Sequence, residues 1–121
     1  MAKHNETGIL GEQLAVDYLT KNGYKILERN WRFSHFEIDI IALKKDYLVF
    51  VEVKTRSADY IIEPELTLSK KQQGFIIRTA NAYIGGHDYD MEARFDIISI
   101  VIHPEGHELK HIDEAFYPYS K

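Results

Sequence analysis

Two of the most apolar, β-branched segments of this chain are interrupted by acidic residues. They are residues 37–41 (EIDII) and residues 50–54 (FVEVK). Runs of this kind are typical of strands that are buried on at least one face. A carboxylate on a buried face costs free energy unless it is paired or binds a metal. Three or more ionisable groups on one sheet face therefore indicate a functional site, and these residue types suit metal-assisted phosphodiester cleavage.

Composition restricts the class of protein. The chain has 121 residues and a net charge of −4, and we expect residues 1–121 to form a single domain. Cysteine is absent, which excludes disulfides and thiolate metal sites. Without an apolar signal segment or a run of about 18 apolar residues, we expect a cytoplasmic protein with no membrane association. The acidic total argues against indiscriminate nucleic-acid binding, although cations concentrated in the first two-thirds allow a basic face around a cleft.

The first predicted helix covers residues 6–21. Asn5 or Thr7 is its expected N-cap, and Gly23 stands where a left-handed C-terminal stop belongs. Apolar residues at three-four spacing predict one buried stripe, made up of Ile9, Leu10, Leu14, Ala15, Tyr18 and Leu19.

A second helix and five strands complete the predicted order αβββαββ, a mixed α/β layout. Residues 56–68 are expected to form a loop, after which Ser69 and Gln72 make a capping box. The second helix is predicted to end at Gly85-Gly86. The strands are expected over residues 24–32, 36–43, 47–55, 94–102 and 107–112.

The hairpin between the second and third strands brings the acidic residues together. A two-residue turn at 45–46 places Asp39 opposite Glu52, whereas a turn at 44–45 makes them diagonal neighbours. Because side chains alternate with period two, both registers put the same four side chains on one face: Glu37, Asp39, Glu52 and Lys54.

These groups predict a site for a divalent cation. Two opposed carboxylates raise each other's pKa, and a bound cation removes that penalty. With no cysteine, and no histidine nearby in the sequence, we expect Asp39 and Glu52 to bind Mg²⁺ (or Mn²⁺), with the Val53 carbonyl as a further ligand. Lys54 can hold an attacking water or stabilise charge on a phosphate. The alternative is a solvated polar face with two cross-strand salt bridges, against which the large apolar neighbours argue.

The order and spacing of five short motifs resemble the YraN-like bacterial family, which is related to the PD-(D/E)XK nucleases and the archaeal Holliday-junction resolvases. The resemblance implies a restriction-endonuclease-like mixed sheet flanked by helices, a metal-dependent nuclease site, and a homodimer if the resolvase arrangement carries over. It adds Glu12 to the catalytic residues, for which an exposed helical glutamate is the alternative. Phe36 departs from the family's glycine and is expected to narrow access to the metal. The motifs are GEQLA at 11–15, NWR at 30–32, EID at 37–39, VEVKTR at 51–56 and RFD at 94–96.

Substrate contacts are expected from five side chains around this site. Trp31 is expected in the core rather than on a base, and Asp96 is interpreted as a buried structural residue. The shared face and the resemblance together predict a Mg²⁺-dependent endonuclease that acts on DNA rather than RNA, and the resemblance implies branched or repair intermediates as substrates. The alternative is a non-catalytic nucleic-acid-binding or interaction module that retains the fold. The substrate-binding candidates are Arg32, Arg56, Lys70, Lys71 and Gln72.

Overall fold

The computed structural model describes residues 5–58, 68–87 and 91–118. It confirms the α/β class and the predicted element order αβββαββ. The last strand is longer than predicted, because its pairing with the preceding strand continues as far as Phe116. The helices and strands have these bounds: α1 Glu6–Lys21, β1 Lys25–Phe33, β2 Phe36–Lys44, β3 Tyr47–Ser57, α2 Lys70–His87, β4 Glu92–His103 and β5 Gly106–Phe116.

One mixed sheet carries the strands in the order β1-β2-β3-β4-β5. Neighbouring strands are antiparallel except β3 and β4, which are parallel and are connected through α2. A parallel pair needs such a crossover, because a tight turn cannot return the chain to the same end of the sheet. Residues 56 and 57 belong to β3 rather than to the predicted loop, and residues 59–67 of that loop lie outside the described residues.

The two helices cover opposite faces of the sheet. α1 packs through Ala15 and Leu19 against one apolar cluster, which includes Val51. α2 packs through Tyr83 against the other cluster, which includes Phe50. The central strands are therefore buried on both faces, which explains the two apolar runs in the sequence. Neither described helix is long and apolar enough to cross a membrane.

Helix α1 has the predicted bounds, and its predicted buried stripe is confirmed from Leu14 onwards but not in the first turns. Of the two candidate caps, Asn5 is the N-cap, since its side chain accepts the Gly8 N–H at 2.9 Å. Gly23 has the left-handed φ of 87° that this C-terminal stop requires. The prediction is wrong at Ile9 and Leu10, which are 59% and 47% exposed. The first turns bury two glycines and a glutamate instead, because the helix approaches the sheet too closely for large side chains.

Gly11 permits this close approach of α1 to β3. A Cβ at Gly11 would lie 2.0 Å from Thr55 Oγ1. We expect Gly11→Ala to lower the free energy of unfolding by about 1–3 kcal/mol in urea denaturation, as overpacking does. The matched control is Gly85→Ala in α2, where a Cβ would meet nothing within 4 Å. This control should raise stability by about 0.5–1 kcal/mol. Similar effects of the two substitutions would contradict the contact.

Helix α2 begins as predicted and ends later. The Ser69 N–H donates to Gln72 Oε1 at 3.0 Å, and the Gln72 N–H donates to Ser69 Oγ at 3.1 Å, which completes the capping box. The predicted end at Gly85-Gly86 is wrong, because the helix continues to His87. The His87 ring stacks on the Tyr83 ring with centroids 4.0 Å apart, a contact that holds the last turn in place.

Candidate functional site

Asp39 lies where the β2–β3 ladder ends. The ladder follows the register of the turn at 45–46, and its last pair is Ile40 with Val51. Asp39 is the next residue of β2; it is fully buried, and its Oδ2 accepts the backbone N–H of Val53 at 2.8 Å. The Asp39 carboxylate therefore accepts a backbone hydrogen bond from the residue between Glu52 and Lys54. It is not a simple cross-strand partner of Glu52.

The side-chain alternation of β2 is interrupted at this point. Ile38 and Ile41 both pack in the cluster on the α2 side, whereas Ile40 packs in the cluster on the α1 side. Strict alternation with period two would place Ile38 and Ile40 on the same side. The predicted alternation of β2 is thus wrong before Ile40, because Asp39 turns its side chain to the backbone of β3.

β1 is distorted at the same level of the sheet. Arg29 pairs with Ile40 and Trp31 pairs with Ile38, so Asn30 faces Asp39 across the two strands. Asn30 has a φ of 53°, a left-handed conformation that asparagine tolerates better than most residues. The distortions of β1 and β2 therefore coincide beside the candidate metal ligand.

Glu12 reaches Asn30 from α1, which covers the face of the sheet opposite to that of Glu52 and Lys54. It is only 4% exposed, so the alternative of an ordinary exposed glutamate is wrong. Its Oε1 accepts a hydrogen bond from Asn30 Nδ2 at 3.1 Å. Since Asn30 faces Asp39, this bond connects Glu12 to the distorted part of the sheet. Asn30 belongs to one of the sequence motifs but was assigned no role. The signal that could have identified it is the tolerance of asparagine for positive φ.

Glu52 and Lys54 project from β3 on the α2 side. Val49, Val51 and Val53 face α1, which leaves the alternate residues of this regularly paired strand facing α2. Both Glu52 and Lys54 are half-buried, as expected for polar groups on a partly covered face. We predicted that these two residues share one side of the strand with large apolar residues, and this prediction is confirmed.

A cavity of about 270 Å³ opens beside Glu52. Glu37 also lines it, and its Oε1 lies 3.2 Å from Arg32 Nη2 in an ion pair between β2 and β1. Phe36 lines the cavity and stacks on Phe75 of α2 with ring centroids 4.4 Å apart. The bulky residue predicted to narrow the site therefore forms part of a wall.

The other residues predicted to contact the substrate differ in their exposure and in their position relative to the cavity. Arg32 is 66% exposed at the rim of the cavity, and Gln72 lines it from the first turn of α2. Lys70 and Lys71 are exposed in that same turn. Arg56 is half-buried near the end of β3, where its Nη1 donates to the Thr55 carbonyl at 3.1 Å.

The donor set fits a hard divalent cation with few protein ligands. Among the described residues, no three Asp, Glu or His side chains are grouped closely enough to surround an ion. Mg²⁺ does not require such a cage, since one or two carboxylates with water and phosphate oxygens usually complete its shell. Asp39 and Glu52 are the candidate ligands of this kind. Asp39 is fully buried and so is not part of a solvated polar face, whereas Glu52 and Lys54 are half-buried.

Two residues weighed in the sequence have structural contacts. Trp31 packs edge-on against Tyr83 with ring centroids 5.0 Å apart, which places it with the core. Asp96 is fully buried and accepts hydrogen bonds from Arg94 and His111, at 2.8 Å and 2.7 Å on the same oxygen. This pairing, absent from our sequence reasoning, joins β4 to β5.

Comparison with known families is consistent with these motifs. The pattern of the uncharacterised protein family UPF0102 matches residues 11–100, which include all four candidate catalytic residues. This chain belongs to UPF0102. The membership confirms the YraN-like resemblance. The family description names no activity, so the chemistry of the site carries the functional argument.

Relatives described as UPF0102 proteins match nearly the whole chain. One from Bacteroides thetaiotaomicron is 46% identical over 98% of each chain. One from Parabacteroides distasonis is 43% identical over 97% of each chain. One from Flavobacterium johnsoniae is 44% identical, covering 98% of this chain and 100% of the relative. The similarity of these UPF0102 proteins therefore extends beyond the motifs to both helices and all strands.

Proposed function

We propose that this UPF0102 protein is a Mg²⁺-dependent endonuclease that hydrolyses phosphodiester bonds in DNA. The observation that carries the proposal is the fully buried Asp39 carboxylate, bonded at 2.8 Å to the N–H of the residue between Glu52 and Lys54. This bond joins the two acidic segments at the end of their ladder. The element order αβββαββ also agrees with the fold implied by the PD-(D/E)XK resemblance.

The chemistry of two carboxylates supports a cation at this position. An ionised carboxylate removed from water costs several kcal/mol unless opposite charge and hydrogen bonds compensate it. The Val53 backbone N–H is one of the groups that stabilise the Asp39 carboxylate. Asp39 and Glu52 would bind Mg²⁺ or Mn²⁺, which when present polarises the phosphoryl oxygen and neutralises developing charge.

The remaining side chains have separate roles in the proposed reaction. Lys54 would orient the attacking water and stabilise negative charge on the phosphate, since its ammonium shares the strand side of Glu52. Glu12, fixed by Asn30, would assist as a further acidic group. Exposed cations at the rim and on α2 would bind the DNA backbone. We also propose a cytoplasmic location and, by analogy with the resolvases, a homodimer that acts on branched DNA.

Metal-dependent cleavage of branched, nicked and linear DNA tests the proposal. We expect the wild-type protein to cleave in Mg²⁺ or Mn²⁺ and not in EDTA. Glu52→Ala should lower the cleavage rate by at least about 100-fold, because the substitution removes both a metal-binding side chain and its negative charge. The matched control is Glu105→Ala in the exposed β4–β5 turn, which should leave the rate unchanged. Equal rates for wild type and Glu52→Ala would reject the catalytic assignment.

A non-catalytic nucleic-acid-binding module is the second candidate, favoured by the net charge of −4. It predicts DNA binding that weakens with salt but is independent of Glu52 and of metal. Salt titrations of binding, with and without Mg²⁺, separate the two functions. Binding by Glu52→Ala as tight as wild type, together with absence of cleavage by both, would favour the module.

A further inference from the structure

We propose that the cavity beside Glu52 binds one unpaired nucleobase, so that the substrate presents a single-stranded nucleotide next to the scissile phosphate. This inference rests on the proposed function and names the substrate of the same site. Three features support it: an aromatic wall, a volume that suits one base, and polar groups that match the edges of a base. The residues that carry it are Phe36, Phe75, Glu37, Glu52, Gln72 and Arg32.

The aromatic wall consists of Phe36 and Phe75. Their rings are stacked at 22°, with centroids 4.4 Å apart, and both side chains are half-buried rather than enclosed in the core. Both line the cavity, and Ile76 extends the apolar surface. Aromatic side chains accept unstacked bases on their faces or edges, and each stacked base contributes measurably to affinity. The wall therefore offers an apolar surface for a flat ring.

The volume limits what can enter. Cavities for drug-sized ligands have volumes of roughly 300–1,000 Å³, and this cavity has about 270 Å³. It is slightly below that range, as expected for a site that accepts one flat ring. A base inside a duplex could reach it only by leaving the stack, which costs least where the nucleotide is already unpaired. Bulges, flaps and junction points present such nucleotides.

The polar groups that line the cavity can pair with the edge of a base. Glu52 carries negative charge, and a carboxylate accepts hydrogen bonds from exocyclic amino groups, whereas both oxygens of the Glu37 carboxylate are buried. Gln72 Oε1 accepts from the Ser69 N–H and hydroxyl, so its amide NH₂ remains as the donor for a ligand. The cavity thus combines acceptors with a donor, as the hydrogen-bonding edge of a base requires.

Two cations of α2 lie beside the cavity, where the sugar–phosphate backbone would run. The Lys71 ammonium and the Arg78 guanidinium each lie 5.9 Å from the centroid of the Phe75 ring. Arg32 lines the cavity, with its side chain 66% exposed, and pairs with Glu37. A base held against the Phe36–Phe75 wall would therefore have its neighbouring phosphates near cations, with Glu52 beside it.

Binding measured without cleavage tests this inference. Fluorescence anisotropy in EDTA would compare a labelled duplex that carries a one-nucleotide bulge with the same duplex fully paired. We expect wild type to bind the bulged DNA about tenfold or more tightly. Phe75→Leu, which keeps an apolar side chain but removes the ring, should reduce this preference to less than about threefold and leave paired-duplex affinity unchanged.

Two further variants keep the test decisive. Phe36→Leu removes the other ring and should also reduce the preference, which guards against a folding defect in one variant. Phe33→Leu is the matched control, since Phe33 is 48% exposed and outside the cavity, and should keep the wild-type preference. Equal wild-type affinity for both DNAs, or an undiminished preference in both cavity variants, would overturn the inference.

The outcome is separable from that of the proposed function. Asp39→Asn changes the candidate metal site but no residue that lines the cavity. It should lose cleavage and keep the preference for the bulge. A preference without any cleavage by wild type would support the base site and reject the nuclease. Cleavage without a preference would support the nuclease and reject the base site.

Discussion

Asp96→Asn is expected to lower the free energy of unfolding by about 3–5 kcal/mol, the effect of breaking a buried ion pair. Asp96 is fully buried, and both of its oxygens accept hydrogen bonds from Arg94, at 3.0 Å and 2.8 Å. His111 Nε2 and the Glu114 N–H also donate to it. An amide replaces one of these acceptor oxygens with a donor, which leaves the 11%-exposed guanidinium of Arg94 without its full counter-charge.

The pair is part of a larger network that joins four elements. Because Asp96 can only accept, His111 donates from Nε2, and its Nδ1 forms a hydrogen bond with the Tyr18 hydroxyl, 3.0 Å away. Arg94 also donates to the Tyr24 hydroxyl at 2.5 Å. The network therefore connects α1, the start of β1, β4 and β5. Burial, followed by the nearby Tyr24, Asp113 and Asp96, raises the pKa of Tyr18.

An exposed ion pair between the same two strands supplies the matched control. His103 Nε2 lies 2.9 Å from Glu108 Oε2, and the Glu108 side chain is 70% exposed. Glu108→Gln should change the free energy of unfolding by less than about 1 kcal/mol, as solvent-exposed pairs do. Urea denaturation at pH 7 measures both variants. A loss for Asp96→Asn no greater than that for Glu108→Gln would contradict the buried network.

The same network makes the free energy of unfolding depend on pH in the acid range. Burial alone would raise the pKa of Asp96, but the hydrogen bonds from His111 and Arg94 outweigh it, and the pKa is lowered. A lowered folded-state pKa contributes stability above the unfolded value of about 3.9, and this contribution is lost as pH falls through the folded pKa. Wild type should therefore lose stability more steeply below about pH 4 than Asp96→Asn does, in urea denaturation repeated across pH.

Asp39→Asn is expected to abolish both Mn²⁺ binding and DNA cleavage while the fold survives. The amide oxygen can still accept the Val53 N–H that Asp39 accepts at 2.8 Å, so the variant keeps this bond. It loses the negative charge that a divalent cation needs. We expect Mn²⁺ affinity to fall by more than about 100-fold, since even indirect supports of a metal are worth 10–100-fold. Circular dichroism would verify that the variant is folded.

Local chemistry made the start of each helix predictable. The Asn5 cap and the Ser69–Gln72 capping box depend on residues within three positions of one another, and both have the predicted contacts. The exposed side of α1 was not predictable in this way. Its orientation depends on the contact of Gly11 with Thr55, residues distant in sequence that meet only when helix and sheet pack.

The register of the hairpin was predictable to within two alternatives, but its end was not. Lys45 adopts a left-handed φ of 54°. Because the turn contains no glycine, this conformation was not predictable from its residues. Asp39 bonds to the backbone of β3, and Asn30 takes a positive φ opposite it. Both depend on where pairing stops, a property of the assembled sheet rather than of one strand. The sequence therefore identified the candidate ligands but not their orientation.

The hydrogen-bond partners that join β4 to β5 were also not predictable from the sequence. Asp96 was correctly interpreted as a buried residue, yet its partner His111 lies fifteen positions away, past a register shift in the pairing. Period-two reasoning cannot place residues across such a shift.

Isothermal titration of Mn²⁺ at pH 7 tests the metal site most directly. Wild type should bind the ion with a measurable heat, and Asp39→Asn should show none under the same conditions. Asp46→Asn, which removes an exposed carboxylate at the far end of the same hairpin, should bind as wild type does. Absence of Mn²⁺ binding by wild type, or equal binding by Asp39→Asn, would contradict a cation held at the end of the β2–β3 ladder.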